Sequence, residues 1–83
     1  GGGPDLAMAA LPRIEVPTML IVGALDTDVL DLNRAAYAAL RCDKALEIVP
    51  GATHLFEEPG TLDEVVRLAT GWFTRHFVAD RKP

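Results

Sequence analysis

Residues 17–23, with the sequence PTMLIVG, constrain the fold of this chain more than any other segment. They form an unbroken apolar run of strand length that ends at a glycine. A run without polar alternation is typical of a parallel strand that is buried on both faces. Such a strand needs cover on both faces and a partner strand at each edge. The run therefore predicts an α/β fold.

The segments that follow predict the order strand, helix, strand, helix. Apolar residues recur at helical spacing over residues 29–41, and residues 46–49 form a second, shorter apolar run. A further apolar stripe at helical spacing extends from Thr61 to about Phe77. Thr61 and Glu64 have the spacing of a capping box at the start of this last helix. Two parallel strands joined by a helical crossover are the expected topology.

The domain organisation expected from this order is one partial domain. Residues 1–15 are expected to form a loop with a short helical turn over residues 5–11, residues 16–78 the β-α-β-α unit, and residues 79–83 a polar tail. An independently stable sheet usually needs about three strands or more. We therefore expect the chain to be part of a longer protein, or to cover its sheet by self-association. It begins with a glycine rather than a methionine, so the native N-terminus is expected upstream.

The composition restricts the class of function. The chain has 83 residues, 49% of them hydrophobic, and a formal net charge of -4. This acidic balance gives no electrostatic reason to bind nucleic acid or an anionic membrane. No apolar run reaches the roughly 18–20 residues needed to cross a bilayer. The single cysteine, Cys42, excludes an internal disulfide and fits a reducing cytoplasm, which is the expected location.

Asp26 and His54 are the candidate catalytic residues. Each lies just beyond the carboxyl end of a predicted strand, and ligands of open α/β sheets bind outside those ends. A hydrolytic triad needs a carboxylate beside an imidazole, because the carboxylate fixes the tautomer of the ring while the ring takes and returns the proton of the nucleophile. An imidazole suits this task because it titrates near neutral pH.

Two motifs resemble those of the α/β-hydrolase superfamily. Residues 17–29 (PTMLIVGALDTDV) resemble the strand and loop that carry the acid, with Asp26 three residues after a glycine and three before a small apolar residue. Residues 47–56 (EIVPGATHLF) resemble the last strand and its histidine loop. An acid followed by a histidine is the chain order of this family, in which the nucleophile precedes both. Residues 50–60 (PGATHLFEEPG), residues 32–34 (LNR) and the opening GGGPDLA are similar to the dienelactone-hydrolase-like branch.

This resemblance extends from Gly1 to about Phe77 and implies the C-terminal strand-helix-strand-helix portion of an α/β-hydrolase sheet. It also implies a protein that hydrolyses ester or lactone bonds, in which Asp26 orients His54 as general base and then general acid. In this branch the hydrolase domain is sometimes joined to a phosphoribosyltransferase. The sequence departs from the family because it contains no serine and no glycine-flanked nucleophile turn. Cys42 is the only alternative nucleophile, but it lies near a predicted helix end, so we predict that this chain alone is inactive.

Structural explanations compete with the catalytic ones. Asp26 has the position of a helix cap, and Asp28, nearer the helix start, is both the better capping candidate and the rival for the acid. His76 lies in the last turn of a helix, where the dipole favours a cation. Cys42 is expected to be a small buried hydrophobe. The aromatic residues of the last helix are expected to face the core: Trp72, Phe73 and Phe77.

No cofactor or metal is expected. Asp26, His54 and Cys42 lack the spacing of metal ligands, and Gly23 is not followed by the second glycine of a phosphate loop. The expected partner is the ester or lactone substrate of the full-length protein. Two other classes stay open: a non-catalytic module that packs against a partner or self-associates, and a flavodoxin-like ligand-binding unit. Separation of Asp26 and His54 beyond hydrogen-bond reach would favour the flavodoxin-like unit.

Overall fold

The computed structural model of the chain describes residues 8–78. The predicted glycine-rich opening, the first part of the predicted turn and the polar tail lie outside these residues. Residues 8–10 are helical, and a 3₁₀ helix follows at Leu11–Arg13. The remaining elements are β1 (Thr18–Gly23), α1 (Thr27–Ala39), β2 (Lys44–Val49) and α2 (Thr61–Phe73), which continues into a π-helical segment at Thr74–Val78. The predicted order of strand, helix, strand, helix is confirmed.

The two strands form a parallel sheet, as the apolar run predicts. Pairing runs from Thr18 opposite Lys44 to Gly23 opposite Val49 without an offset. Both strands therefore end level at one edge of the sheet. This common ending brings the loop after β1 beside the loop after β2, which is the requirement for a shared site.

β2 begins at Lys44, two residues before the predicted start at residue 46. The strand pattern did not include Lys44 because a charged side chain is unusual in a covered strand. Its ammonium group donates hydrogen bonds to the carbonyl oxygens of Tyr37 (2.8 Å) and Leu40 (3.0 Å) at the end of α1, and it lies 4.4 Å from the centre of the Tyr37 ring. These contacts satisfy carbonyls that the helix leaves without a partner. Lys44 is therefore a strand residue that also closes the preceding helix.

The buried core of the described part is small, and several predicted core residues lie outside it. The prediction that the α2 aromatics face the core is wrong for Phe73, which is 59% exposed, and for Phe77, which is 40% exposed. Cys42 is half-buried rather than buried, and its sulfur lies 3.8 Å from the Thr18 hydroxyl. Within the described residues only two strands are available to cover these side chains. The fully buried apolar residues are Val22, Leu40, Val49 and Ala52.

The predicted capping box at the start of α2 is not formed. The residue before the helix is Gly60, whose φ of 81° lies in the left-handed region that favours glycine. The Thr61 hydroxyl donates to the Glu58 carbonyl oxygen at 2.7 Å, and the Glu64 carboxylate accepts from the Arg67 guanidinium at 2.8 Å. Each partner of the predicted box therefore has another contact. The threonine hydroxyl ties the histidine loop to the helix instead.

Candidate active site

The loops after the two strands are fastened to each other by backbone hydrogen bonds. The amide of Ala24 donates to the carbonyl oxygen of Val49, and the amide of Leu25 donates to that of Ala52, each at 3.0 Å. The first bond continues the ladder of the sheet beyond Gly23. The second joins the loop that carries the acid to the loop that carries the histidine. The relative position of the two loops is thus set by the main chain.

Gly23 permits this close approach. A Cβ at this position would lie 2.3 Å from the carbonyl oxygen of Ala52 and 2.6 Å from that of Thr53. Both distances are far below van der Waals contact, so any other residue would push the histidine loop away. A steric requirement therefore explains why the motif has a glycine three residues before the acid.

Asp26 and His54 lie at the same edge of the sheet and contact each other, as the sequence predicts. Oδ2 of Asp26 is 2.6 Å from Nδ1 of His54, and the same oxygen accepts a hydrogen bond from the backbone amide of His54. The contact lies well within hydrogen-bond reach and so argues against the flavodoxin-like alternative. Asp26 holds both the ring and the main chain of one residue.

The capping explanation for Asp26 is wrong. Asp26 does occupy the position before α1, and its carbonyl oxygen accepts from the amide of Leu30 at 2.8 Å, but its side chain makes no capping bond. Asp28 lies exposed in the first turn of α1, and the carboxylate in contact with His54 is that of Asp26. Of the two rival acids, the structure brings only Asp26 to the histidine.

Hydrogen bonding determines the charge state of Asp26 and the tautomer of His54. The ring of His54, and then its backbone amide, lower the pKa of the Asp26 carboxyl below its ordinary value, against a smaller opposing effect of burial. An ionised carboxylate can only accept, so Nδ1 of His54 carries the shared proton. In the neutral ring Nε2 is then free to act as a base. The Asp26 side chain is 27% exposed and that of His54 60%, so the ring extends from a sheltered acid into open space.

A surface cavity of about 290 Å³ lies against this pair. Its polar lining includes Asp26, Asp28 and His54, and its apolar lining includes Leu25 and Val29. A small apolar group can therefore pack beside the imidazole. Within the described residues there is no group of three or more potential metal-ligating side chains.

The other residues singled out in the sequence lie apart from this pair. Asn33, one of the residues of the branch motif, donates from its side chain to the carbonyl oxygen of Val29 at 2.9 Å inside α1. The ring of His76 packs against that of Trp72, with 3.9 Å between the centroids and the planes tilted by 45°. Cys42 contacts Thr18 at the start of β1, the end opposite Asp26. These three residues therefore have local structural contacts.

The sequence offers Glu57 and Glu58 together as possible substrate contacts beside a helix start, but it does not predict the contact that Glu58 makes. Its carboxylate accepts hydrogen bonds from the backbone amide (3.2 Å) and the hydroxyl (3.0 Å) of Thr53, the residue before His54. Glu57 has the same residue type at the neighbouring position, so neither composition nor spacing distinguishes the two glutamates. The only sequence feature that indicates such a contact is Thr53, a polar residue immediately before the candidate histidine.

The parallel sheet and its helices give the described residues the α/β architecture of an α/β-hydrolase fragment. The described chain is similar to a crystal structure of dienelactone hydrolase from Anabaena variabilis, with a TM-score of 0.83 and 49% sequence identity over 88% of this chain and 34% of that one. The predicted resemblance to the dienelactone-hydrolase-like branch is thereby confirmed. The chain has the fold of a dienelactone hydrolase fragment.

Two curated relatives from Mycobacterium tuberculosis, strains CDC 1551 and H37Rv, have names that assign them provisionally to the phosphoribosyl transferases. Each is 54% identical over 76 residues, which is 92% of this chain and 17% of the relative. The chain thus spans about one sixth of the length of these relatives. No protein-family model matches the sequence. In the part of the chain that the structure describes, no helix is long and apolar enough to span a membrane.

Proposed function

We propose that this chain supplies the acid and the histidine of a hydrolase that acts on ester or lactone bonds. The observation that carries the proposal is the 2.6 Å contact between Asp26 and His54 at the carboxyl edge of a parallel sheet. In this proposal the nucleophile, a serine or cysteine, belongs to a part of the protein outside residues 1–83. Residues 1–83 then form the C-terminal part of a hydrolase domain.

The proposed mechanism divides the work between the two nitrogen atoms of His54. Asp26 accepts from Nδ1–H, which leaves Nε2 to take the proton of the nucleophile as it attacks the carbonyl carbon of the substrate. The imidazolium then gives this proton to the leaving alkoxide, and an acyl-enzyme remains. Nε2 next takes a proton from water, which attacks the acyl carbon. The imidazolium returns this proton to the nucleophile as the acyl bond breaks and the carboxylic acid leaves. Asp26 stays ionised throughout and stabilises the charged ring.

The incomplete packing of the chain supports its assignment as one lobe of a larger domain. The radius of gyration is 14.2 Å, whereas a compact domain of this length has about 12 Å. Val66 and Phe73 of α2 are 56% and 59% exposed, and the described sheet has two strands. The rest of the hydrolase domain would cover these surfaces and supply further strands. Because the sequence contains no serine, this lobe alone is proposed to be inactive.

The phosphoribosyl transferase name of the relatives is proposed to refer to a different part of those proteins. The chain covers 17% of each relative, and the glycine that ends β1 opens no phosphate-binding loop in the sequence. Gly23 serves instead to admit the histidine loop. The matched segment therefore corresponds to the hydrolase part of a protein that joins two activities.

The experiment is hydrolysis of p-nitrophenyl acetate and of a simple lactone by the full-length protein that contains this chain. His54→Ala removes the base and should lower kcat by at least about 1,000-fold. Asp26→Asn should lower kcat by up to about 10,000-fold, because the tautomer of the His54 ring is no longer fixed. His76→Gln is the matched control, since the ring of His76 packs against Trp72 at the end of α2 and not against Asp26. Retention of full activity by His54→Ala would disprove the proposed function.

A non-catalytic module that self-associates is the second candidate, and the apolar surface at the start of β1 favours it. A cavity of about 340 Å³ there lies between the strand and the aromatic end of α2, and its lining includes Met19, Ile21, Trp72, Phe73 and Phe77. Size-exclusion chromatography with light scattering of the isolated chain tests this candidate. A stable dimer, together with a full-length protein that hydrolyses neither substrate, would favour the module. A well-folded monomer would count against it.

A further inference from the structure

We propose that Glu58 is the positioning residue of His54: its carboxylate holds Thr53 through two hydrogen bonds and thereby fixes the main chain that presents the imidazole to Asp26. The inference rests on the proposed function, because it concerns the histidine of the proposed triad. Glu58 does not reach the ring and acts through Thr53.

The contacts of Thr53 form a two-point clamp. Its amide lies 3.2 Å from Oε1 of Glu58, and its hydroxyl lies 3.0 Å from Oε2. The hydroxyl oxygen is also 3.4 Å from the amide of Leu55, and the Thr53 carbonyl accepts from the amide of Phe56 at 3.2 Å. The residues on both sides of His54 are therefore tied to the same carboxylate, directly or through one hydroxyl.

Glu58 is itself anchored to a rigid element. Its carbonyl oxygen accepts from the hydroxyl of Thr61 at 2.7 Å and from the Thr61 amide at 3.1 Å. Thr61 is the first residue of α2 and is 7% exposed. The connection thus runs from a buried helix start through Glu58 to Thr53 and His54. A site held in this way depends less on the flexibility of its loop.

The ionised form of Glu58 can accept both hydrogen bonds of the clamp. The pKa of its carboxyl lies below the ordinary value because of hydrogen bonds from the backbone amide of Glu58 itself and from Thr53, against the opposing effects of partial burial and of the charge on Asp26. An ionised carboxylate is acceptor-only and can serve both donors of Thr53 at once.

The test compares four variants of the full-length protein with the wild type, with kcat and KM for p-nitrophenyl acetate and the Nδ1 proton of His54 in NMR spectra as readouts. Glu58→Ala should lower kcat by up to about 100-fold, as expected when a catalytic group moves by about 1 Å, with KM within about twofold. The Nδ1 proton signal should weaken or shift. Glu58→Gln keeps an acceptor for the amide and a donor for the hydroxyl, so it should restore kcat to within about threefold of the wild type.

Thr53→Val and Glu57→Ala complete the series. Thr53→Val removes the hydroxyl contacts with Glu58 and Leu55 but keeps the amide contact with Glu58. It should lower kcat by up to about tenfold, which keeps the test decisive if Glu58→Ala does not fold. Glu57→Ala changes the exposed neighbouring glutamate and should leave kcat and the Nδ1 signal unchanged.

Two results would overturn the positioning role. One is an unchanged kcat and Nδ1 signal in Glu58→Ala, in a protein that His54→Ala inactivates. The other is an equal loss of kcat in Glu58→Ala and Glu58→Gln, because the charge rather than the geometry would then matter. Activity retained by His54→Ala would instead reject the proposed function, and the Nδ1 signal of Glu58→Ala would still decide whether Glu58 holds the histidine loop.

Discussion

Replacement of Gly23 by alanine tests whether the close approach of the two loops sets the geometry of the candidate site. The new Cβ would lie 2.3 Å from the carbonyl oxygen of Ala52, whereas ordinary contacts of a Cβ begin at 3.4 Å. The histidine loop must therefore move by about 1.1 Å, and a side-chain rotation cannot avoid this because the nearest atoms are main chain. If the same movement separates His54 from Asp26, their 2.6 Å contact lengthens to about 3.7 Å, beyond hydrogen-bond reach.

The expected effects of Gly23→Ala are a loss of stability and a larger loss of activity. Overpacking of a close contact should lower the free energy of unfolding by about 1–3 kcal/mol, measured by urea denaturation of the full-length protein. The kcat for p-nitrophenyl acetate should fall about 100-fold, since a displacement of about 1 Å in a catalytic group has this effect. The hydrogen-bonded Nδ1 proton of His54 should disappear from the NMR spectrum.

Gly71→Ala is the matched control for this variant. A Cβ at Gly71 has no atom within 4 Å, and the residue lies inside α2. Alanine should therefore stabilise the protein by about 0.5–1 kcal/mol and leave kcat unchanged. The reasoning is refuted if Gly23→Ala retains kcat within about twofold and keeps the Nδ1 proton signal.

Substitution of charged side chains at the two ends of the sheet should also change the stability of the folded state measurably. Because hydrogen bonds from His54 lower the pKa of Asp26, its ionisation stabilises the folded state above the ordinary value of 3.8, and this contribution is lost as the pH falls through the lowered value. The difference in urea midpoint between the wild type and Asp26→Asn should therefore shrink below about pH 3.8. Lys44→Met removes two hydrogen bonds to carbonyls at the end of α1 and should lower the free energy of unfolding by about 1–3 kcal/mol in urea denaturation at neutral pH. Arg67→Ala breaks an exposed pair with Glu64 and should hardly change the urea midpoint, so an equal effect of the two substitutions would contradict the capping role of Lys44.

The arrangement of Asp26 and His54 was predictable because every feature that determines it is local in the sequence. The apolar run before Gly23 marks a covered strand, and a second strand follows after one helix. Parallel strands joined by a helix end at the same edge, so residues just beyond each strand meet there. The sequence motif also includes Gly23, but the steric reason for a glycine there becomes visible only in the distance to Ala52.

The roles of Glu58 and Thr61 were not predictable from the sequence because turn geometry decides them. Phe56, with a positive φ of 52°, lies in the turn that brings Glu58 back to Thr53, whereas the turn at Gly60, with a φ of 81°, lies between Glu58 and Thr61. The same turn at Gly60 directs the Thr61 hydroxyl to Glu58, although its spacing to Glu64 fits a capping box. A sequence pattern indicates which hydrogen-bond partners are possible but not which hydrogen bonds form.

The exposure of the α2 aromatics was mispredicted for a different reason. Helical periodicity identifies an apolar face but does not specify what covers it. Phe73 and Val66 lie on such a face and remain more than half exposed in the described part of the chain. The periodic pattern therefore identifies the apolar face correctly but does not report how much of it is covered.

The containment of the acid and the histidine in one β-α-β unit has a consequence for protein engineering. The two residues are 28 positions apart in sequence and lie in the loops that follow β1 and β2, with the start of α2 holding the histidine loop through Glu58. On the proposed function, a cut before β1 would divide the enzyme into a fragment with the nucleophile and a fragment with the acid and the histidine. A single association event would then restore hydrolysis. This boundary is a natural place to split the enzyme into a two-part reporter of protein proximity, in which the colour of a released nitrophenol reports that the two fragments have met.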